Sequence, residues 1–332
     1  MCTAITFTSN DFYFGRTLDL EYTYGEEVVI TPRKYPLRFR HGAEVKQHPA
    51  IIGIAHVAEG YPLYYDAVNE SGLCMAGLNF SGFAKYAKVT EGKENIACFE
   101  LIPWILGRCN TVEEARKLLE TTNLTDTPFS EELPTAQLHW ILADQNSCIT
   151  LESESVGIRI HENPIGVLTN NPPFEHQMYY LQNFLQLSAN PPEKRLAPEL
   201  TLKPFSRGMG AMGLPGDLSS QSRFVRAAFT KRNSVCDSSQ SVSQFFHILG
   251  AVNQTRGCCR LEDGSMPITQ YTSCCNASRG IYYYTTYTNR RIHAVSMHRE
   301  DLDQTTLLRF PMLTEEDILY LNERDEPRSP TV

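Results

Sequence analysis

The chain opens on an alternating β-branched run, Thr3-Ala4-Ile5-Thr6-Phe7-Thr8, the pattern of a strand. Ser9-Asn10-Asp11 predicts a turn, and a second strand leads into Gly15-Arg16-Thr17-Leu18-Asp19. A tight hairpin of this kind would bring Arg16 and Asp19 back beside Cys2. Residues 51–57 predict another strand, and residues 64–68 and 73–78 form a hairpin around Asn69-Glu70-Ser71-Gly72 that delivers Asn79 at its tip. Residues 138–143 and 148–152 pair around a turn at 144–147. Residues 156–160 and 165–168 are expected to continue that sheet and to end at Thr169-Asn170-Asn171-Pro172-Pro173. Residues 271–275 and 281–287 pair across Ser278-Arg279-Gly280, and 291–297 follow as the next strand.

Helical periodicity lies between these hairpins. Residues 95–108 read as a buried helix that Pro103 should kink or split. Thr111-Val112-Glu113-Glu114 is a capping box that opens an amphipathic helix through Leu119. Further helices are predicted at 174–187, 222–231, 242–252 and, closing the chain, 315–321. Residues 125–134 form a loop with apolar members Phe129 and Leu133, and 206–216 a Gly-rich loop. Local hairpins interleaved with helix pairs favour an α+β architecture of antiparallel sheets covered by helices.

Composition narrows the possibilities. With 332 residues, 42% of them hydrophobic, the chain can bury a large core, and the absence of a repeat or linker suggests one domain over 1–332. A net charge of −8 without a basic run argues against a nucleic-acid partner. No stretch approaches the apolar length of a membrane span, and no secretory leader is visible. Ten cysteines without such a leader point to reduced thiols and a cytoplasmic protein.

Several motifs lead nowhere. Gly208-Met209-Gly210-Ala211-Met212-Gly213 spells GxGxxG, but its flanks provide neither the strand nor the helix of a dinucleotide site. The Cys258-Cys259 and Cys274-Cys275 pairs are too tightly spaced for zinc, and His139 reads as a satisfied sheet residue. G-x-S-x-G is absent. No metal and no cofactor is expected.

Cys2 carries more chemistry. Loss of Met1, which a small following residue permits, would place a thiol and a free α-amine on one residue. A thiol ionises near pH 8.5 and an α-amine near roughly 7.7–8.0, so nucleophile and base would travel together. Taken alone, such a cysteine is more often incidental. Arg16, Asp19, Asn79, Asn170 and Arg223 also have ordinary explanations, as turn residues or as a helix-surface charge.

Together these residues resemble the choloylglycine hydrolase family of conjugated bile salt hydrolases and penicillin V acylases. The matches are Met1-Cys2-Thr3, Gly15-Arg16-x-x-Asp19, Asn69-Glu70-x-Gly72-Leu73, Ala76-Gly77-Leu78-Asn79-Phe80, Gly166-Val167-Leu168-Thr169-Asn170, Gly213-Leu214-Pro215-Gly216-Asp217 with Ser222-Arg223-Phe224, and Gln270-Tyr271-Thr272-Ser273-Cys274. The resemblance implies an N-terminal-nucleophile (Ntn) hydrolase fold, a four-layer αββα sandwich of two antiparallel sheets. It implies Cys2 as nucleophile, Arg16 beside the thiol, Asp19 on the α-amine, Asn79 and Asn170 as oxyanion donors, and Arg223 completing the polar shell. Leu18, Tyr65, Phe129, Leu133 and Leu138 would line an apolar steroid cleft, and Arg207 would pair with the carboxylate of a glycine conjugate. Asn79 favours bile salts, since penicillin acylases tend to carry Tyr there. The implied protein is a cytoplasmic, homotetrameric bile salt hydrolase of a gut bacterium, acting on glycine- and taurine-conjugated bile acids. A penicillin V or N-acyl-homoserine-lactone acylase is the near alternative. An inactive binding relative and a dinucleotide oxidoreductase are more distant ones.

Overall fold

A computed structural model describes residues 1–193 and 196–322. Strands and helices are numbered in chain order. The first sheet is antiparallel and runs β12 (Val167–Leu168), β1 (Cys2–Thr8), β2 (Phe12–Leu20), β13 (Ile268–Asn276), β14 (Ile281–Thr286), β15 (His293–Ser296). The second, also antiparallel, begins β11 (Gly157–Glu162), β10 (Cys148–Glu154), β9 (Leu138–Ala143), β6 (Cys74–Asn79). It continues β5 (Tyr61–Asn69), β4 (Ile51–Ala58), β3 (Glu27–Thr31), β16 (Leu308–Pro311). A short parallel pair, β7 (Glu94–Ala97) and β8 (Thr122–Thr125), stands apart.

The sheets pack face to face through residues such as Ala4, Phe14, Ile54 and Leu78, all buried. Helices α4 (Ser220–Asn233) and α5 (Ser241–Gly250) cover the outer face of the first sheet. Helices α1 (Leu101–Leu106) and α2 (Val112–Leu119) cover the second, over a separate core around Trp140, Ile105 and Leu142. Helix α3 (Phe174–Leu181) lies beside α4. The result is the expected α+β sandwich, layered αββα.

The β1–β2 hairpin holds Cys2 opposite Leu18 and Ala4 opposite Arg16. Alternation therefore puts Cys2 and Arg16 on one face and Thr3, Thr17 and Asp19 on the other. Gly15 lets β13 approach: a Cβ there would lie 2.1 Å from the Ser273 carbonyl oxygen.

Four expectations need correction. Residues 165–168 do not extend the β9–β11 sheet; β12 crosses to the first sheet, pairing Leu168 with Ala4. Residues 95–108 are not one helix. They start as β7, and α1 begins at Leu101, so Pro103 falls in its first turn, where its missing N–H costs no helical bond. The helix predicted at 174–187 ends at Leu181 and tightens to a 3₁₀ turn, Gln182–Phe184. Residues 315–321 form no helix, because Ile318, Leu319 and Leu321 are exposed and no apolar face is packed. The capping box is real but shifted. Thr111 Oγ1 accepts from Glu114 N at 3.2 Å, and the Glu114 carboxylate accepts from Asn110 N at 2.7 Å. The domain expected over 1–332 includes residues 194, 195 and 323–332, which lie outside the described residues.

Candidate active site

Cys2 starts β1 and is buried, 3% exposed. Its backbone N–H donates to Asn170 Oδ1 at 2.8 Å. Asn170 arrives two residues after β12, which explains why that strand must lie in the first sheet. The same Oδ1 accepts from Arg223 Nη2 at 2.7 Å. A guanidinium can only donate, so this contact fixes which end of the Asn170 amide is oxygen. Its Nδ2 end donates to the Asn79 carbonyl at 2.8 Å.

Arg223, which taken alone reads as a helix-surface charge and in the family resemblance as part of the polar shell, is wholly buried on the inner face of α4. Ser219 caps that helix, accepting from Ser222 N, and so presents Arg223 in its first turns. Arg223 Nη1 donates to the Cys2 carbonyl and to Thr3 Oγ1 at 2.8 Å, and Nε to the Leu218 carbonyl at 3.0 Å. Burial pushes the guanidinium down from its ordinary value, against the pull of Asp19 and Cys2.

Asp19 is also buried. Its Oδ1 accepts from Thr269 Oγ1 at 2.7 Å and its Oδ2 from Thr17 Oγ1 at 3.1 Å. Its main chain pairs with Met1: Asp19 N donates to the Met1 carbonyl at 2.9 Å, and the Met1 amine donates to the Asp19 carbonyl. Burial raises the Asp19 carboxyl; Arg223 and the chain's amino terminus pull it back.

Arg16 crosses between the sheets. Its Nη1 donates to the main-chain carbonyls of Tyr65 (3.1 Å) and Gly77, and its Nε to that of Thr17 at 3.2 Å. Its Nη2 is buried and has no hydrogen-bond partner among the described residues. Burial would lower the guanidinium, but the charges of Cys2, Tyr271, Asp66 and Asp19 outweigh it and leave it raised. In return, Asp66 of β5 reaches toward the first sheet, accepting from Tyr271 (2.7 Å), Ser273 (2.9 Å) and Tyr282. Asp66 was missed in the sequence, where one acid in an apolar strand carries no signal. Ser220 of α4 and Gln177 of α3, which hold the main chain of Asn170 at 2.9 Å each, were missed because a single polar residue on a helix gives no sign of a distant main-chain partner.

Asn79 ends β6 with its side chain exposed. Its Oδ1 accepts from Ser81 Oγ at 3.1 Å, and its Nδ2 donates to no protein atom among the described residues.

An apolar cavity of about 370 Å³ is lined by Tyr65, Phe129, Leu133, Leu138, Phe99 and Gly77, with His56 and Glu132 among its few polar members. Two of its wall residues, Tyr65 and Gly77, hold Arg16 by their carbonyls, so the cavity adjoins the Cys2 face. Leu18 is buried opposite Cys2 but is not part of this wall. Arg207 is not there either. It sits in the exposed 201–208 segment, none of whose residues lines the cavity. A polar cavity of about 420 Å³ near Thr269 and Arg290 includes none of the Cys2 cluster.

All ten cysteines are unpaired. The Gly-rich loop has a 3₁₀ turn at Met209–Ala211, with neither a strand before it nor an α-helix opening at it. Glu152, Glu154 and His161 offer ligand-type atoms within 4.8 Å of one another, a grouping the sequence did not suggest. Arg159 lies between the carboxylates of Glu154 (3.4 Å) and Glu175 (3.6 Å), supplying positive charge there. No helix among the described residues is long and apolar enough to cross a membrane.

Residues 2–310 match the family described as linear amide C–N hydrolases, choloylglycine hydrolase family. The bile salt hydrolase/transferase of Lactiplantibacillus plantarum is 52% identical over 324 residues, 97% of this chain and 100% of that protein. The one from Clostridium perfringens is 36% identical over 311 residues, 91% of this chain and 94% of that one. Among solved structures, a mutant of the conjugated bile acid hydrolase from Clostridium perfringens matches with a TM-score of 0.90 at 33% identity, covering 97% of this chain and 100% of that one. Penicillin V acylase from Agrobacterium tumefaciens shares the fold, with a TM-score of 0.75 at 18% identity, covering 96% and 94%.

Proposed function

The chain belongs to the choloylglycine hydrolase family of linear amide C–N hydrolases, and from that premise we propose that it is a bile salt hydrolase with Cys2 as nucleophile. The observation that carries the mechanism is the Cys2 nitrogen held at 2.8 Å by Asn170 Oδ1, whose other donor is the buried Arg223. Removal of Met1 turns that amide into an amine without moving its acceptor. The amine then takes the thiol proton as sulfur attacks the conjugate's carbonyl, and passes it to the departing glycine or taurine nitrogen. A thioester remains, which water attacks with the amine again as base. The relatives' names pair hydrolase with transferase; a free amine in place of water would re-form an amide from the same thioester.

The roles divide as follows. Arg16 holds positive charge by the sulfur, with Nη2 free for thiolate or substrate. Asn79 Nδ2 is a side-chain donor for the developing oxyanion, a role worth about 3–4 kcal/mol elsewhere. Asn170 orients the amine through its Oδ1; one hydrogen of its NH₂ serves the Asn79 carbonyl and the second is left for the oxyanion. Asp19 balances Arg223 and the amine from the opposite sheet face. The apolar cavity takes the steroid, burying it against Tyr65, Phe129, Leu133 and Leu138, with Leu18 beside the thiol. Residues 1–332 are read as one domain. Ten unpaired cysteines support a cytoplasmic site, and the homotetramer rests on family analogy.

The test offers purified protein glycocholate, taurocholate and penicillin V and measures amine release. Turnover of both conjugates is expected, with Cys2→Ser inactive and the intact mass lacking Met1. Penicillin V turned over far faster than glycocholate would overturn the substrate. Full activity in Cys2→Ser would overturn the mechanism.

A further inference from the structure

Asn79 and Asn170 stand at the ends of strands in different sheets. Among the described residues no backbone ladder joins those sheets, so the spacing between the two amides depends on side-chain ties. One is the Asn170–Asn79 bond itself. Another runs through His139, which is buried on β9 opposite Leu78. Arg16 to Gly77 and Asn163 between Thr150 and Val167 also cross from sheet to sheet, but neither reaches both strand tips.

The His139 ring meets both strand tips. Its Nε2 donates to the Thr169 carbonyl at 2.9 Å, one residue before Asn170. Its face stacks on Phe80, one residue after Asn79, with centroids 4.3 Å apart and planes 6° from parallel. Its Nδ1 lies 3.2 Å from Glu152 Oε1. The Thr169 carbonyl can only accept, so the Nε2 contact is a donation by the ring, while Nδ1 faces the Glu152 carboxylate.

Glu152 fixes the ring and the segment it serves. Its Oε1 also accepts from Phe174 N at 2.8 Å, where α3 begins. It therefore clamps both ends of residues 169–174: the far end directly, the near end through His139. Its carboxyl is held down to about 2, burial being outweighed by His139, by the nearby His161 ring at 3.2 Å and by the Phe174 amide.

We propose that the His139–Glu152 pair is a positioning unit for the hydrolysis, setting Asn79 and Asn170 at one separation so that Asn170 Oδ1 stays on the Cys2 nitrogen. Neither residue lines the substrate cavity or touches Cys2. The inference rests on the hydrolase reading above. Misplacing a catalytic group by about 1 Å can cost on the order of a hundredfold in rate.

The experiment measures kcat and KM for glycocholate in Glu152→Gln, His139→Gln and Phe80→Leu. Each rate is divided by the fraction of Cys2 that iodoacetamide alkylates in folded protein, read on the amino-terminal peptide by mass spectrometry because the other nine cysteines are also unpaired. The expected result is a fall in kcat per titratable Cys2 of about tenfold to a hundredfold, with KM within about twofold. A residue that only filled the core would lower the yield of titratable sites and leave the rate per site alone. An unchanged kcat per site, or a loss carried by KM, overturns the proposal. If the two polar variants do not accumulate, Phe80→Leu decides by the same measure, because it removes the ring stacked on His139 and leaves both nitrogen contacts of His139 in place. A wild type that releases no glycine or taurine overturns the hydrolase reading and this inference with it. A wild type that turns over, with variants equal to it, overturns this inference alone.

Discussion

Asn170→Ala isolates the contact on which the mechanism turns. The substitution deletes an acceptor shared by Cys2 N (2.8 Å) and Arg223 Nη2 (2.7 Å), and a donor to the Asn79 carbonyl (2.8 Å). Neutral bonds of this kind contribute about 1 kcal/mol each and a charged one roughly 1.5–3 kcal/mol. Arg223 keeps its other partners, so the net cost to stability should be about 3 kcal/mol. With a urea dependence of roughly 3 kcal/mol per molar for a chain of this size, the unfolding midpoint falls by about 1 M. The kinetic cost is larger, because the amine is no longer aimed: positioned bases contribute about 10²–10⁴ in rate, so kcat should fall at least a hundredfold. KM should change little, since Asn170 is outside the apolar wall. Amine release from glycocholate and urea unfolding measure the two effects. A kcat within threefold of wild type, or a loss confined to KM, would refute the assignment. Asn170→Asp separates the roles further. It keeps the acceptor for Arg223, so stability largely returns. A carboxylate beside the amine favours its protonated form, so the activity optimum moves to higher pH.

Three other outcomes are expected. Phe129→Ala removes ring contacts to Phe99 (5.2 Å) and Tyr61 (6.1 Å) in the cavity wall, and should raise KM for glycocholate about tenfold with little change in kcat. Gly15→Ala drives a methyl against the Ser273 carbonyl; separation of β2 from β13 should cost about 1–3 kcal/mol or more, read as a lower thermal midpoint. Glu152 titrates lower in the fold than in the unfolded chain, where a glutamate sits near 4.3, so its stabilising contribution is complete above that value and fades as pH falls toward 2. Glu152→Gln should flatten that part of the acid unfolding curve; an unchanged slope would contradict the assigned pair.

Much of this was readable in the residues, where the information was local. The β1–β2 hairpin, the hairpin at 69–72 and the α2 cap each rest on neighbours in sequence, and each formed. What failed was non-local. Residues 165–168 are apolar and short, and nothing in them says which sheet they join; the answer lies in Ala4, far along the chain. Residues 95–97 read as helix because a brief apolar run has no decisive period, and their partner is Leu124 of β8. β3 and β16 escaped notice because they are short, and β16 sits at an edge. The polar cluster was suspected only through the family resemblance. Arg223, Asp66 and Glu152 look like ordinary charges until pairing buries them. His139 read as a satisfied sheet residue, and it is one, but what satisfies it is the main chain beside Asn170.

The rung between Met1 and Asp19 has a practical meaning for anyone handling this protein. Whatever precedes residue 2 is stitched onto the hairpin as one more step of ribbon. A purification handle fused at that end would prolong the strand and, on the mechanism proposed above, leave the sulfur in a silent precursor. Handles therefore belong at the other terminus, and a protease that trims back to the cysteine should switch such a dormant preparation on.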